Sequence, residues 1–481
     1  MFSRTEKETA GMSENRDDIR YYIIAPDCNL RGWKLLPYAL QSGWRQKTMF
    51  FRKPEFELLK KCDGRTAIAW NELSGSEQNL LEVWQRDGLV RPSGGNDWLL
   101  PDQEYQFYPN AFKEHVQWSI TGKCNFRCRH CFMSAPHAAE GEPTFEELMQ
   151  MLEAFDRCGI RSVSLTGGEP LIRRDFWQLV DAILARGINI RYIYSNGFLV
   201  TDAFLDELDK RHIRPSIQFS FDGIGTHDWM RGIDGAEQFV RDALKRCQER
   251  GFQTSCSMVL FRENTGTIRE SVKLLASLGV GSLKIGNAMP QGEWVNETEH
   301  FLTQAEANQV FLDYIPQYFE DGAPLSIGLE GFFSYNKYRN KISALFERGV
   351  SEENFSKAPM CLQVKREMYV SPKGVVMPCM SMVGTEIEKR FPNMLEKPLE
   401  EILNHLSIYM ILSDSRISDF MAHHPDCAEC RYRADCCGGC RAWAVRDGST
   451  DFLAKDMVTC EYYLGGWKEK KEAVLKQLGL M

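Results

Sequence analysis

Ten of the sixteen cysteines in this chain stand in two spaced groups, and no other feature limits its fold so tightly. The first group is Cys124-x3-Cys128-x2-Cys131. The second runs Cys361-x12-Gly374-x4-Cys379, then Cys427-x2-Cys430-x5-Cys436-x3-Cys440, then Cys460. Cysteines so placed either pair as disulfides or bind metal. The stretch MFSRTEKETAGMSENRDD is polar and charged, without the apolar segment of a secretory signal. The expected setting is therefore the cytoplasm, which keeps thiols reduced, so metal ligation is the better account. The six scattered cysteines, Cys28, Cys62, Cys158, Cys247, Cys256 and Cys437, read as small buried hydrophobes. A net charge of −8 without a dense basic stripe argues against nucleic acid as a partner. No apolar run approaches the ~20 residues of a membrane helix, so no membrane role is expected.

Length and patterning divide the 481 residues into about three domains. Residues 1–20 read as a polar tail and 21–110 as a small module. In that module YYIIAPD and KTMFFRK have strand composition. PEFELLKKC and SGSEQNLLEVWQRDGLV read as helices; in the second, Leu80, Leu81 and Trp84 share a face, Ser74 or Ser76 caps the start and Gly88 closes the end. Thr66–Trp70 is a further short apolar piece, and Pro92–Gln103 reads as a linker. From 115 to 295, six short apolar runs alternate with helical stretches: Val116–Ile120, Ser162–Leu165, Ile188–Tyr194, Ser216–Phe221, Thr254–Leu260 and Gly281–Ile285. Such alternation implies parallel βα units. Six units fall short of the eight of a closed barrel, so the expected fold is α/β, a partial and open (β/α)6 TIM-like barrel. Residues 296–355 read as a mainly helical bridge, with GLEGFFSYNKYRN as a loop. Residues 356–481 are cysteine-rich with little apolar periodicity, a segment that metal would have to organise.

The first cysteine group directly follows the strand VQWSI. Iron–sulfur clusters take four thiolates. Three ligands on one loop would leave the fourth iron open, which is the condition for activating a substrate. The alternative is a zinc loop with His130 as fourth ligand. With these residues on the page, the pattern resembles the signature of the radical S-adenosylmethionine superfamily. That resemblance implies a 4Fe–4S cluster on Cys124, Cys128 and Cys131, with S-adenosylmethionine as the cofactor. In that family one electron cleaves the cofactor, and a 5′-deoxyadenosyl radical abstracts a hydrogen atom. LTGGEP, ending the second strand, resembles the motif that holds the methionine amino group, through Gly167, Gly168 and Glu169. YSNG and SFDG resemble the ribose and carboxylate contacts, with Ser195, Asn196, Ser220 and Asp222 as candidates. Arg231, in WMRG, is a candidate for the cofactor carboxylate, and LKIGNAMP sits where the family contacts adenine.

The second group is similar, cysteine by cysteine, to the SPASM extension of radical S-adenosylmethionine enzymes, which carries two auxiliary 4Fe–4S clusters. The resemblance assigns Cys361, Cys379 and Cys440 to the first auxiliary cluster. It assigns Cys427, Cys430, Cys436 and Cys460 to the second, for three clusters in all. The first set lacks a fourth cysteine. Its fourth position is then open to a substrate thiolate, or filled by a non-cysteine ligand or Cys437. Sulfatase maturases of this family carry an Asp after the second auxiliary cysteine; here that residue is Met380. The amino-terminal module resembles a RiPP recognition element, a winged-helix-like α+β domain that binds the leader of a ribosomally made precursor peptide by β-augmentation. The resemblances together imply a peptide-modifying enzyme that forms a thioether crosslink and draws electrons from a flavodoxin or ferredoxin. A carbon–carbon crosslinking maturase and a sulfatase-maturase-like dehydrogenase are the enzymatic alternatives. A metal-organised peptide-binding protein is the non-enzymatic one.

Overall fold

A computed structural model describes residues 18–43, 47–137, 139–288, 291–404, 407–446 and 448–481. The expected tail over 1–20 lies outside the described residues up to position 17, and Ile19 already opens a strand, Ile19–Ile24. The chain divides into two compact units, residues 1–109 and 110–481.

In the smaller unit Ile19–Ile24 lies between Ile68–Ala69 and Val90–Ser93, antiparallel to both. A second sheet runs Lys47–Phe50, Leu36–Ser42, Cys28–Trp33, Gln106–Tyr108. Helices Lys53–Lys60 and Gly75–Arg86 bury Phe56, Leu59, Leu81 and Trp84 in a core with Ile24, Leu30 and Leu40. The arrangement is α+β and winged-helix-like. Ser74 is the cap of the second helix: its hydroxyl accepts from Glu77 N at 3.3 Å, and the Glu77 carboxylate accepts from Ser74 N at 2.9 Å. The expected linker Pro92–Gln103 is not one. Its first residues complete the three-stranded sheet, and buried Gln103 donates to the carbonyls of Ala25 (2.9 Å) and Cys28 (3.2 Å). Polar composition reads as loop in a sequence, but here an amide side chain satisfies buried backbone.

The larger unit is built on an open eleven-stranded sheet. Its centre is the expected series of six parallel strands: His115–Ser119, Ser162–Thr166, Asn189–Ser195, Ser216–Ser220, Thr254–Leu260 and Ser282–Asn287. Outer helices follow helical periodicity; Phe145–Arg157 starts on a Thr144–Glu147 capping box and packs Phe155 edge-on against Trp118 at 5.1 Å. The helix Ala236–Glu249 connects the fourth and fifth strands. The expected bridge over 296–355 instead continues the barrel. After helix Gln304–Glu320, Ser326–Leu329 adds in parallel to the sixth strand, and the expected loop GLEGFFSYNKYRN forms part of an antiparallel hairpin, Phe333–Asn336 with Lys341–Ser343. At the other edge Glu367–Val370 pairs in parallel with the first strand.

The carboxyl-terminal segment also has apolar packing that its composition does not announce. Its short helices send Leu399, Ile402, Leu403, Tyr409, Leu412 and Tyr462 into the same core as the barrel strands. Long-range burial therefore supplies what local periodicity does not.

Candidate functional site

The loop bearing Cys124, Cys128 and Cys131 leaves the first barrel strand and is held from three sides. From the second strand, Gly168 N donates to Thr121 O and Glu169 N to Lys123 O, both at 2.9 Å. A Cβ on Gly167 would lie 2.5 Å from Thr121 O, and one on Gly168 2.1 Å from Lys123 O. These glycines are required because the loop's own backbone lies against them. From the short helix His227–Arg231, the carbonyls of Arg231 and Met230 accept from Arg127 N (3.3 Å) and Arg129 N (2.9 Å). After the sixth strand, Glu293 N donates to Cys131 O at 3.1 Å, and Gly292 sits where a Cβ would come within 2.2 Å of that oxygen.

Each sulfur of the triad accepts a hydrogen bond: Cys124 from Phe126 N (3.4 Å), Cys131 from Ala135 N (3.3 Å), Cys128 from the Arg231 guanidinium (3.7 Å). Such donors favour thiolates, yet burial pushes Cys124 up to about 12 and raises Cys128 and Cys131. Three anionic sulfurs here need positive charge among them, which iron ions supply. Among the described residues no three His, Cys, Asp or Glu side chains converge on the position of a single ion.

The triad opens into a chamber of about 340 Å³ at the C-terminal ends of the strands, the size range of a small-molecule site. Gly167, Gly168, Glu169, Ser195, Asn196, Ser220 and Arg231 all line it. Glu169 is fully buried; its carboxylate accepts from Asn196 N (2.7 Å), Leu171 N (3.2 Å) and the Ser195 hydroxyl (3.1 Å). Among the described residues it has no cationic partner, and burial pushes it up to about 7 despite those bonds. An ammonium group from a ligand would complete it. The Asn196 amide donates to the Asn125 side chain at 2.8 Å, and its oxygen accepts from Phe198 N at 3.1 Å.

Asp222, expected among the cofactor contacts, lies behind the chamber wall. Its carboxylate accepts from Arg231 Nε at 2.7 Å and Val259 N at 2.9 Å. Burial raises its pKa, but the Arg231 guanidinium, with further lowering from His227 and His130, more than offsets this and holds it well below the usual carboxylate range. A carboxylate consumed by internal partners orients Arg231 and does not face a ligand. Of the LKIGNAMP segment, Gly286, Asn287 and Ala288 line the chamber, while Met289 and Pro290 lie outside the described residues.

The second cysteine group separates in space into two sets. Burial, with the neighbouring Cys440 and Cys361, pushes Cys379 up to about 12. Burial, with Cys427 and Cys430 among its neighbours, pushes Cys460 up to about 11, and Cys436 in turn feels Cys460. Buried Asp456 ties the sets together: it accepts from Cys440 N at 2.8 Å and caps the helix Met457–Leu464 that carries Cys460. Cys437 neighbours Cys436. It is buried in a satellite core with Met360, Ile417 and Phe420. All ten cysteines of the two groups are partly exposed and all six scattered ones are buried.

Some chamber residues lie outside every motif read from the sequence: Gln218, Gln291 and Glu330. Glu330 follows the seventh parallel strand, and only the alternation in SIGLE after a helical run announces that strand.

Residues 118–275 match the Radical SAM superfamily, and residues 361–436 match SPASM, an iron–sulfur cluster-binding domain. The fold and the triad over the barrel mouth agree with these two matches. The first implies S-adenosylmethionine and a 4Fe–4S cluster, and the second implies further iron–sulfur clusters. AdoMet-dependent heme synthase of Nitratidesulfovibrio vulgaris is 24% identical over 355 residues, 72% of this chain and 92% of that protein. Mycofactocin maturase MftC of Mycolicibacterium smegmatis is 27% identical over 203 residues, 42% of this chain and 51% of that protein. The crystal structure of Streptococcus suis SuiB bound to precursor peptide SuiA superposes with a TM-score of 0.64 at 16% identity, covering 92% of this chain and 100% of that one. Native anSMEcpe with bound AdoMet and Cp18Cys peptide gives 0.55 at 16% identity, covering 76% and 98%. At these identities the solved structures share the fold. Among the described residues no helix is long and apolar enough to cross a membrane.

Proposed function

We propose that this protein is a radical S-adenosylmethionine maturase that modifies a ribosomally made precursor peptide, forming a thioether between a cysteine sulfur and a carbon of the core peptide. The observation that carries the peptide reading is the extent of the SuiB likeness: it spans 92% of the chain, and that structure was solved with a precursor peptide. The amino-terminal unit then serves as the leader-binding RiPP recognition element. Among the described residues Lys47–Phe50 is an edge strand with Phe50 exposed, suited to pairing with an added strand.

Cys124, Cys128 and Cys131 would hold the first cluster. Cys361, Cys379 and Cys440 would hold one auxiliary cluster, and Cys427, Cys430, Cys436 and Cys460 the other. S-adenosylmethionine held beside Cys124, Cys128 and Cys131 would supply one-electron radical chemistry for removing a hydrogen atom from the peptide. Glu169 pairs with the cofactor's ammonium, and Ser195 donates to that carboxylate to hold it in place. Gly167 and Gly168 keep the cysteine loop seated. Asn196 and Ser220 face the cofactor, and Arg231 binds its carboxylate while Asp222 orients Arg231. Three cysteines in the first auxiliary set favour an open position that takes up the substrate sulfur as the crosslink forms. A cytoplasmic flavodoxin or ferredoxin is the electron source.

A second reading, modification of a porphyrin, is favoured by the similarity to the heme synthase over 72% of the chain. The test is anaerobic reconstitution of the wild type and a Cys124/Cys128/Cys131→Ala variant. About twelve irons in the wild type and about four fewer in the variant are expected, at four per cluster, with 5′-deoxyadenosine release lost in the variant. A cysteine-containing peptide encoded beside the gene should lose two hydrogens and gain a link stable to reductant. Conversion of iron coproporphyrin with the peptide untouched would establish the second reading instead.

A further inference from the structure

Thioether formation removes two hydrogens from the peptide, and only one leaves as a hydrogen atom. When the sulfur bonds to the carbon radical, the S–H bond breaks, and its proton and one electron must go elsewhere. Two carboxylates line the chamber, Glu169 and Glu330. Glu169 is committed to three hydrogen bonds on the cofactor side. Glu330 stands on the opposite wall, at the end of Ser326–Leu329, with its backbone anchored by Glu330 N donating to Ile285 O at 2.9 Å. Among the described residues its carboxylate accepts no hydrogen bond; the nearby cation is Lys284, whose Nζ lies 3.9 Å away, and its side chain keeps 20% of its exposure. Gly286 leaves room for it: a Cβ there would come within 2.4 Å of Glu330 Oε2. Met380 and Ser381, which directly follow Cys379, also line the chamber. Arg446 lies within electrostatic reach of both Glu330 and the sulfurs of Cys379 and Cys440.

We propose that Glu330 is a catalytic residue, the base that takes the thiol proton as the carbon–sulfur bond forms. The inference rests on the peptide-maturase reading. The step balances as follows: the carbon radical and the thiol give the thioether, the proton goes to the Glu330 carboxylate, and the electron goes to an oxidised auxiliary iron–sulfur cluster. Lys284 steers the carboxylate by charge, and Met380, which has no proton-accepting group, leaves this task to the opposite wall.

The test uses the reconstituted full-length enzyme, S-adenosylmethionine, dithionite and a core-deuterated, cysteine-containing peptide encoded beside the gene. E330Q keeps shape and removes the base; E330D keeps a carboxylate on a shorter arm. Both variants should bind the peptide with close to wild-type affinity by fluorescence anisotropy and carry wild-type iron. Both should still transfer deuterium into 5′-deoxyadenosine, while the crosslink formed per nucleoside falls, about 100-fold in E330Q, the scale of a lost general base, and less in E330D. A wild-type ratio of crosslink to 5′-deoxyadenosine in E330Q overturns the proposal. Loss of deuterium transfer together with the crosslink also overturns it, since Glu330 would then act before the carbon radical forms. Absence of any crosslink from the wild type overturns the maturase reading and this inference with it.

Discussion

Burial pushes the Glu169 carboxyl up to about 7, above the ~4.3 expected in the unfolded chain. The folded state then binds this proton more tightly than the unfolded state, so its contribution is present at low pH and is lost as pH rises through about 7. The loss amounts to about 4 kcal/mol at full ionisation. Ligand-free Glu169→Gln is therefore expected to gain stability over the wild type between about pH 5 and pH 8, read from urea midpoints. Saturating S-adenosylmethionine should narrow the gap by supplying the missing cation. A pH-independent difference would contradict this account. The Asp222–Arg231 pair behaves in the opposite sense. Arg231→Met leaves a fully buried carboxylate uncompensated and should cost about 3–5 kcal/mol. Adding Asp222→Asn should recover most of that loss in the same denaturation assay, because both charges are then gone.

The elements around the cysteine loop explain why a motif of three residues needs so much of the barrel. Its backbone is pinned by the second strand, by the helix His227–Arg231 and by the segment at Gly292. Gly168→Ala puts a methyl group against Lys123 O, a backbone atom that cannot swing aside. The expected outcome is a loss of about four irons per chain with the far-UV circular dichroism of the barrel unchanged. Retention of all iron would show that the loop tolerates the shift. Element type was legible where period was strong, as in Phe145–Arg157 with its Thr144–Glu147 box. It failed at Ser326–Leu329, a four-residue strand whose pairing partner, Ser282–Asn287, lies some forty residues earlier. Short strands carry too little pattern to be read without the neighbour that completes them.

At the scale of the whole molecule the triad and its chamber belong entirely to residues 110–481, while residues 1–109 form their own core. A chain trimmed to 110–481 should keep 5′-deoxyadenosine release and lose crosslinking of a leader-bearing peptide by roughly 100-fold, the scale of a lost tethering contact. Equal crosslinking with and without the first unit would remove its leader-binding role.

The sequence by itself determined the cysteine loop and the βα alternation. These are written in spacings of a few residues, and local chemistry imposes them. It also separated six buried cysteines from ten partly exposed ones in two spaced groups. Only the tertiary structure decided that Asp222 serves Arg231, that Ser195 serves Glu169, and that Gln103 closes a sheet. It alone placed Glu330 across the chamber from the cysteine triad. Those assignments depend on which side chains meet over long sequence separations, and a buried polar group takes whichever partner the packing brings to it.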